Sequence, residues 1–269
     1  MTKTEDTEFI LEIKKDLKQG FGKFLICTGK PGTGKSYACL RLGEMIDPSF
    51  GADKVVIGDA LAFINLLEKA LQGEFEKGSF LMFDEAGMGL SSRDWNKKQN
   101  KITAVVLQLI RKMGLFIAFT LPNLGMIDVT ARKVTSFWMR AERLNLITKR
   151  SYFKIWRLDY NDFIDKLYRH NIKEGGKDIT LWEFTLPQKI NLNEYERIKT
   201  EGLMKSLNDA KRSFGEHEPR KVGRPRKGEE RQEEIIELLE EGRDGAEIAD
   251  MVGVTVQNVA YTKRRYEIE

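Results

Sequence analysis

One segment of the chain has the residue types and the spacing needed to hold a phosphate. It reads GKPGTGKS, from Gly29 to Ser36, and it fits the pattern GxxxxGK[ST] at every fixed position. In that pattern backbone amides surround the phosphates, the lysine contacts the β- and γ-phosphates, and the hydroxyl binds Mg²⁺. The segment therefore predicts that the chain binds ATP with Mg²⁺. We assign the nucleotide to Gly29, Lys30, Pro31, Gly32, Thr33, Gly34, Lys35, Ser36 and Tyr37.

The flanks of this segment favour a phosphate loop over a glycine-rich turn that binds nothing. A phosphate loop must join a buried strand to a helix that begins at its lysine. Here the apolar run KFLIC precedes the loop, and SYACLRLGEMI follows it with apolar residues at helical spacing. The flanks also contain both cysteines of the chain, Cys27 and Cys39. We expect them to be buried, reduced thiols rather than a disulfide or a metal site.

A second chemical signal follows about fifty residues later, in the segment FLMFDEAG at residues 80–87. Four apolar residues lead directly into Asp84 and Glu85, as in a buried parallel strand that ends at a catalytic edge. Asp84 would hold Mg²⁺ with Ser36, and Glu85 would polarise the attacking water. An acidic pair at a strand end can instead begin a helix, but the upstream loop favours catalysis. Because nucleotide kinases often lack such a base, the pair favours an ATPase over a kinase.

The elements that must position these groups predict an α/β fold. Residues 7–19 form an amphipathic helix, residues 54–58 a strand followed by a second helix, and the strand ending at Asp84 comes next. This βαβαβ order predicts a P-loop NTPase with a mostly parallel sheet covered by helices. The apolar positions are Phe9, Ile10, Ile13 and Leu17 in the first helix, and Leu61, Ile64, Leu67 and Leu71 in the second.

Later segments extend this pattern. Apolar periodicity predicts a long helix from Trp95 to Met113 and a buried strand at residues 115–120. Two further strands are predicted at residues 136–145 and 151–160, and a helix rich in Lys and Glu at roughly residues 192–211.

Composition divides the chain into two domains and a linker. A length of 269 residues permits one α/β core and a small second domain. Glycine, proline and charge replace apolar periodicity at residues 213–230. We therefore predict an ATPase domain at residues 1–212, a basic linker at 213–230, and a helix-turn-helix domain at 231–269.

The N-terminal sequence and the hydropathy of the chain suggest the cellular compartment. The total of 45 basic against 41 acidic residues says little about binding partners. The positions of the charged residues along the chain are more informative. The N-terminus MTKTEDTEF lacks an apolar signal region, and no apolar run approaches the roughly 20 residues that span a bilayer. We expect a cytoplasmic protein without a membrane segment, in a prokaryotic host cell.

The C-terminal residues have the spacing of a helix-turn-helix. Two helices, EEIIELLEEG and GAEIADMVG, precede a third, TVQNVAYTKRRY. Ala249 permits close helix contact, Gly253 a tight turn, and Thr255 a helix cap. The third helix would read adenine edges with Gln257 and Asn258. Its phosphate contacts would be Lys263, Arg264 and Arg265. A three-helix protein-interaction module with a solvated basic end is the alternative.

A basic arm precedes this domain and contains GRPRK, from Gly223 to Lys227. Its arginines could enter a narrow A·T-rich minor groove, so Arg224, Arg226 and Lys227 are further candidate contacts to double-stranded DNA. Arm and helices together resemble the DNA-binding domains of Hin-type recombinases, which carry a similar GRPR arm. A merely basic linker is the alternative.

The two core motifs and the strand LFIAFTLPN resemble the ASCE division of P-loop ATPases, over roughly residues 20–145. The likeness is greatest to FtsK/HerA-type DNA-pumping enzymes, and among these to Zot-like ATPases of phages and mobile elements. It implies that Lys35 binds phosphate, Ser36 and Asp84 hold Mg²⁺, and Glu85 is the base. Many relatives place Gln after the sensor Thr, but Leu121 follows Thr120 here, so Thr120 or Asn123 must serve instead, or sensing is altered.

Such ATPases commonly form homo-oligomeric rings, hexamers among them, with an arginine supplied by a neighbouring subunit. Arg93, Arg111 and Arg132 are candidates for that arginine, but an isolated arginine carries no motif, which favours an ordinary surface residue at each position. The resemblance therefore predicts a prokaryotic viral or plasmid ATPase that acts on double-stranded DNA as a motor or a switch.

Two other functions stay open at this point. Lys30 lies where ParA/MinD-type partition ATPases keep a second lysine, but Pro31 replaces a glycine of their motif and Glu85 points to the other division. A partition protein or nucleotide-switched regulator is therefore one alternative. A helicase loader, which would need a protein partner, is another.

Overall fold

The computed structural model describes residues 2–3, 7–86, 112–127, 129–215 and 227–266. The chain divides into two compact units, Met1–Arg212 and Ser213–Glu269. The helix predicted from Trp95 to Met113 lies outside the described residues, apart from residues 112 and 113, which are helical.

The first unit is built on a sheet whose central strands are parallel. The strands are β1 (Thr2–Lys3), β2 (Lys23–Thr28), β3 (Val55–Ile57), β4 (Phe80–Asp84), β5 (Phe116–Leu121), β6 (Phe137–Asn145), β7 (Arg150–Asn161), β8 (Lys166–Glu174), β9 (Lys177–Ile179) and β10 (Trp182–Phe184). The order β3-β4-β5-β2-β6 is parallel throughout. Because β5 lies between β2 and β4, the phosphate loop, Asp84 and Thr120 share one edge of the sheet.

Antiparallel strands continue the sheet beyond β6. The long strand β7 pairs with β6, β8 and β10 in antiparallel register, and β8 pairs with β9. The predicted mixed α/β fold with a mostly parallel central sheet is confirmed. Within the described part of the chain, no helix is long and apolar enough to cross a membrane.

Helices cover both faces of the central strands. The helices are α1 (Glu8–Gln19), α2 (Lys35–Ile46), α3 (Ala60–Leu71), α4 (Val129–Lys133), α5 (Leu192–Gly215), α6 (Lys227–Glu240), α7 (Gly245–Val252) and α8 (Val256–Arg265). Alternate residues of β2 point to opposite faces: Leu25 and Cys27 pack into the cluster with α1 and α2, and Phe24 and Ile26 into the cluster with α3. The central strands are therefore apolar at nearly every position, as expected for a sheet covered on both sides.

Two predictions about these helices need correction. The predicted apolar face of α3 was wrong at Leu61, Ile64 and Leu71, which are exposed. The buried residues of α3 are instead Phe63, Leu66, Leu67 and Ala70. Nine of the twelve residues of this helix are apolar, so several stripes fit helical periodicity, and contact with β4 and β5 selects one of them. In addition, α5 continues to Gly215 and α6 begins at Lys227, so both helices enter the predicted linker at residues 213–230.

The second unit contains three helices around a small apolar core. Its buried residues come from all three helices: Ile235, Leu239, Ile248, Ala249, Val252 and Val259. Gly253 adopts the left-handed conformation after α7, with φ of 69°. Thr255 then caps α8 by accepting a hydrogen bond from the Asn258 amide. The predicted turn chemistry at these two positions is present.

A buried ion pair stabilises the connection between α2 and β4. Lys54 Nζ lies 2.8 Å from Asp47 Oδ2, and Asp47 also accepts hydrogen bonds from the Phe80 amide and the Ser49 hydroxyl. Burial raises the pKa of Asp47, but these hydrogen bonds and the charge of Lys54 outweigh it and hold the pKa below its ordinary value. The folded state therefore prefers the ionised carboxylate.

We expect acid to destabilise the first unit through Asp47. The stabilisation is fully present above the unfolded pKa of about 4 and is lost as the pH falls through the lower folded pKa. Asp47→Asn should lower the unfolding free energy near neutral pH by roughly 2–4 kcal/mol and flatten its decline in acid. Tryptophan fluorescence during urea unfolding measures this, because all four tryptophans lie within residues 1–212. The exposed Asp178→Asn is the control; an equal acid dependence in wild type and Asp47→Asn would contradict the prediction.

Candidate functional site

The phosphate loop has a backbone that side chains would not permit. Gly29, Gly32 and Gly34 have φ of 154°, 75° and 84°, a region that favours glycine. A Cβ at Gly29 would lie 2.6 Å from the Ala141 Cβ. Gly34 precedes α2 without a side-chain cap, so the first amides of the helix keep their capacity to bind an anion.

The loop lysine is buried against the loop itself. Lys35 Nζ donates hydrogen bonds to the carbonyl oxygens of Gly29 and Lys30, at 2.8 and 3.0 Å. Thr33 Oγ1 also donates to the Lys30 carbonyl, at 2.7 Å. These contacts tie the Lys35 ammonium group and the Thr33 hydroxyl to the backbone of the loop.

Asp84 is the centre of the site and is fully buried. Its Oδ1 accepts hydrogen bonds from Ser36 Oγ at 2.9 Å and from Thr120 Oγ1 at 2.5 Å. Its Oδ2 accepts from the Tyr195 hydroxyl at 2.5 Å and from Lys199 Nζ at 3.0 Å. The structure thus joins the phosphate loop, the ends of β4 and β5, and helix α5 through one carboxylate.

Glu85 follows Asp84 in a strained conformation. Its φ is 50°, which is uncommon for a residue other than glycine and costs on the order of 1 kcal/mol or more. The Glu85 amide donates to Thr120 Oγ1 at 2.8 Å, and its carboxylate lies 3.4 Å from Lys199 Nζ. The turn directs Glu85 toward the cavity that Lys35 and Ser36 also line.

The residues present suit Mg²⁺. A hydroxyl and a carboxylate are hard oxygen donors, and Mg²⁺ is usually bound through one or two carboxylates together with substrate phosphates. Within the described residues there is no group of three or more His, Cys, Asp or Glu side chains that could hold a metal alone. Ser36 and Asp84 therefore fit a Mg²⁺ ion that arrives with a nucleotide.

A cavity of about 690 Å³ adjoins the loop, within the roughly 300–1,000 Å³ usual for ligand sites. Its floor is formed by the phosphate loop and Glu85. The remaining lining residues come from α2, from β6, β7 and their connection, from the segment after β10, and from the beginning of α5: Tyr37, Leu144, Leu146, Lys149, Ser151, Thr185, Leu186, Leu192, Asn193, Glu196 and Lys199. Apolar leucines beside polar groups provide surfaces for a base and a sugar next to the phosphates.

Burial and neighbouring charges shift three proton equilibria in the site. Burial and the hydrogen bond to Glu196, at 2.7 Å, raise the pKa of Tyr37 to about 12. Burial and the charge of Asp84 raise the pKa of Tyr195. Burial lowers the pKa of Lys199, but the charges of Asp84 and Glu85 and the hydrogen bonds to them together outweigh it, so the pKa is raised. At neutral pH both tyrosines are therefore hydroxyl donors and Lys199 is a cation.

Known proteins provide a comparison for this site. Residues 48–174 match the family model for zonular occludens toxin (Zot). The Zot match covers just under half of the chain, contains Asp84, Glu85 and Thr120, and begins after the phosphate loop. No curated protein matches the sequence.

Two solved structures are similar to the chain at low sequence identity. The N-terminal domain of zonular occludens toxin from Neisseria meningitidis is 15% identical over 57% of this chain and 95% of that chain, with a TM-score of 0.37. The AAA domain of FIGL-1 is 18% identical over 49% of this chain and 48% of that chain, with a TM-score of 0.36. Both likenesses are partial.

Within the Zot-matched segment, the structure separates the two candidate sensors. Thr120 contacts both Asp84 and the Glu85 amide. Asn123 is exposed at the start of a short 3₁₀ helix, Leu124–Met126, and does not line the cavity. Of the two candidates, Thr120 is therefore the one in contact with the buried carboxylate and with the backbone of Glu85.

Of the three arginines that could be supplied to a neighbouring subunit, Arg132 is the one that the structure describes. Arg93 and Arg111 lie outside the described residues. Arg132 Nε donates to the Ile127 carbonyl at 2.9 Å, a contact within its own subunit.

Sequence reasoning missed the contribution of α5. Tyr195 and Lys199 are one helical turn apart, so they share a face, but nothing local marks that face as catalytic. The signal lies only in tertiary contacts with Ser36 and Asp84.

The predicted DNA-binding residues lie in the second unit. The side chains of α8 assigned to bases and phosphates are exposed: Gln257, Asn258, Lys263, Arg264 and Arg265. Arg224 and Arg226 lie outside the described residues, and Lys227 is the first residue of α6. Exposure of this basic helix leaves it accessible to a polyanion.

Proposed function

We propose that the chain is an ATP-hydrolysing, DNA-binding motor or switch protein of a prokaryotic virus or mobile element. The observation that carries the proposal is the arrangement at Asp84. It brings together the phosphate loop through Ser36, the sensor through Thr120, and a strained Glu85 at the cavity. A regulatory nucleotide site needs no adjacent base, so Glu85 favours hydrolysis.

The roles in hydrolysis follow from these positions. Glu85 accepts a proton from, and orients, the water that attacks the terminal phosphate. Lys35 and the amides of the loop contact the phosphate oxygens that gain charge. Thr120 holds the Glu85 backbone in place. Mg²⁺ bound through Ser36 and Asp84 would supply further neutralisation of that charge.

The second unit supports an action on double-stranded DNA. Its exposed α8 combines two side-chain amides with three cations, and the chain before α6 contains GRPRK. Amides read bases and cations bind phosphates in helix-turn-helix proteins. The unit would select or grip a DNA site while the first unit hydrolyses ATP.

Similarity to the Zot family supports a phage-associated ATPase-like protein. Within that group we propose the FtsK/HerA-type activity of DNA translocation, packaging or transfer. A homo-oligomeric ring would place an arginine of one subunit at the nucleotide of the next. Turnover would then depend on assembly.

We expect double-stranded DNA to stimulate steady-state ATP hydrolysis by the full chain. Exchanging Arg224 and Arg226 for alanine should weaken the apparent DNA affinity about tenfold or more, because both are assigned to the DNA groove, and should leave hydrolysis without DNA unchanged. Arg243→Ala, in the same unit but paired with Glu241, is the control. Tight DNA binding without stimulation would instead identify a nucleotide-switched regulator.

A further inference from the structure

Helix α5 places a cation between the two predicted magnesium ligands. Lys199 Nζ lies 3.0 Å from Ser36 Oγ and 3.0 Å from Asp84 Oδ2, and 3.4 Å from Glu85 Oε1. The Lys199 side chain is 19% exposed. One ammonium group therefore contacts the hydroxyl, the carboxylate and the base that hydrolysis requires.

This position is incompatible with Mg²⁺ on the same ligands. Mg²⁺ would need oxygen lone pairs of Ser36 and Asp84, and Lys199 Nζ is hydrogen-bonded to both of these residues. Two cations that share the same oxygen donors repel each other strongly where water is scarce. Binding of a magnesium nucleotide therefore requires Lys199 to leave.

Several contacts hold α5 in this position. Tyr195 donates to Asp84 one turn before Lys199, and Lys205 pairs with Asp59. Gly202 packs so closely on β3 that a Cβ there would lie 2.9 Å from the Ile57 carbonyl oxygen. The docked helix thus has a specific close contact remote from the cation site.

We propose that α5 is an autoinhibitory element whose Lys199 competes with Mg²⁺, so that binding of a magnesium nucleotide requires α5 to withdraw. The contact also engages the Glu85 carboxylate, which must be released from Lys199 before it can orient a water. This inference rests on the proposed function, because it concerns the same site. Helix α5 runs to Gly215, and the basic arm follows it in the sequence. Withdrawal of α5 would therefore move the helix that precedes the basic arm.

The test measures the binding of fluorescent mant-ADP to the full chain, in Mg²⁺ and in EDTA. Lys199→Met keeps the aliphatic stem and removes the charge. It should tighten binding in Mg²⁺ by up to about tenfold, the factor expected if a withdrawn form is populated at ~10%. Binding in EDTA should change much less. Arg197→Met is the control, since Arg197 lies on the same helix and pairs only with Glu201 among the contacts observed.

A second variant tests the helix without altering the site. In Gly202→Ala every group around Asp84 is retained, but the added methyl should push α5 from the Ile57 carbonyl oxygen, and binding in Mg²⁺ should tighten as in Lys199→Met. Hydrogen exchange over residues 192–205 gives an independent readout, and it should increase when Mg²⁺ and mant-ADP are added to wild type.

The outcomes separate this inference from the proposed function. Equal or weaker binding in Lys199→Met, or unchanged exchange in α5, overturns autoinhibition, and weaker binding would assign Lys199 to the nucleotide instead. Absence of mant-ADP binding in wild type and in both variants overturns the nucleotide site itself.

Discussion

Glu85→Gln should lower ATP turnover by roughly 10²- to 10⁴-fold while ATP still binds, since this is the range that a positioned general base contributes. The amide keeps the size of the side chain but cannot accept a proton from water. Its backbone hydrogen bond to Thr120 is unaffected. Measurement of single-turnover hydrolysis and of bound ATP in the same sample should show a trapped, uncleaved nucleotide.

Two comparisons sharpen this experiment. Lys35→Ala should lose binding and hydrolysis together, because Lys35 is the residue assigned to the phosphates and it also contacts the loop carbonyls. Glu201→Gln, on the exposed side of α5, should keep wild-type turnover. Persistent hydrolysis in Glu85→Gln would refute the assignment of the base.

The largest effect on stability is expected at Glu44, in the helix that follows the phosphate loop. Its buried carboxylate accepts hydrogen bonds from the backbone amides of Gln188, Lys189 and Ile190 and pairs with Arg41 at 2.8 Å. Glu44→Ala would leave three amides and a buried guanidinium without this acceptor. We expect a loss of about 3–5 kcal/mol in unfolding free energy, as for other broken buried pairs.

The matched control is Glu201→Ala, which removes an exposed i,i+4 pair with Arg197 and should cost under about 1 kcal/mol. Urea unfolding followed by tryptophan fluorescence compares the two. Similar losses in both variants would mean that the segment before α5 does not depend on Glu44 for its position.

Local sequence patterns were sufficient to predict the structure where a single strand, loop or helix determines the position of a residue. The phosphate loop follows from its glycines and lysine, and the approach of Asp84 follows from an apolar strand that ends at the same edge. The helix at residues 7–19 was predicted with its buried face, Phe9, Ile10, Ile13 and Leu17. Four of the five strongly apolar residues of this helix lie in one stripe, and the fifth, Leu11, is exposed. Periodicity therefore identified the buried face.

Tertiary packing decided what local patterns could not. In α3 an excess of apolar residues left several faces open, and packing buried Phe63 while it exposed Leu61. Tyr195 and Lys199 lie 111 and 115 residues from Asp84 in the chain, so no local spacing relates them. The end of α5 was placed too early because polar helices lack the apolar period that marks their length.

The buried cysteines have a practical consequence for labelling. Cys27 and Cys39 are the chain's two cysteines, and both have no exposed surface in the core beside the phosphate loop. Burial also raises the pKa of the Cys39 thiol, which disfavours the reactive thiolate. A maleimide dye should therefore react selectively with a single cysteine introduced on the exposed side of α5, so fluorescence from one fluorophore can follow that helix without first mutating the native thiols.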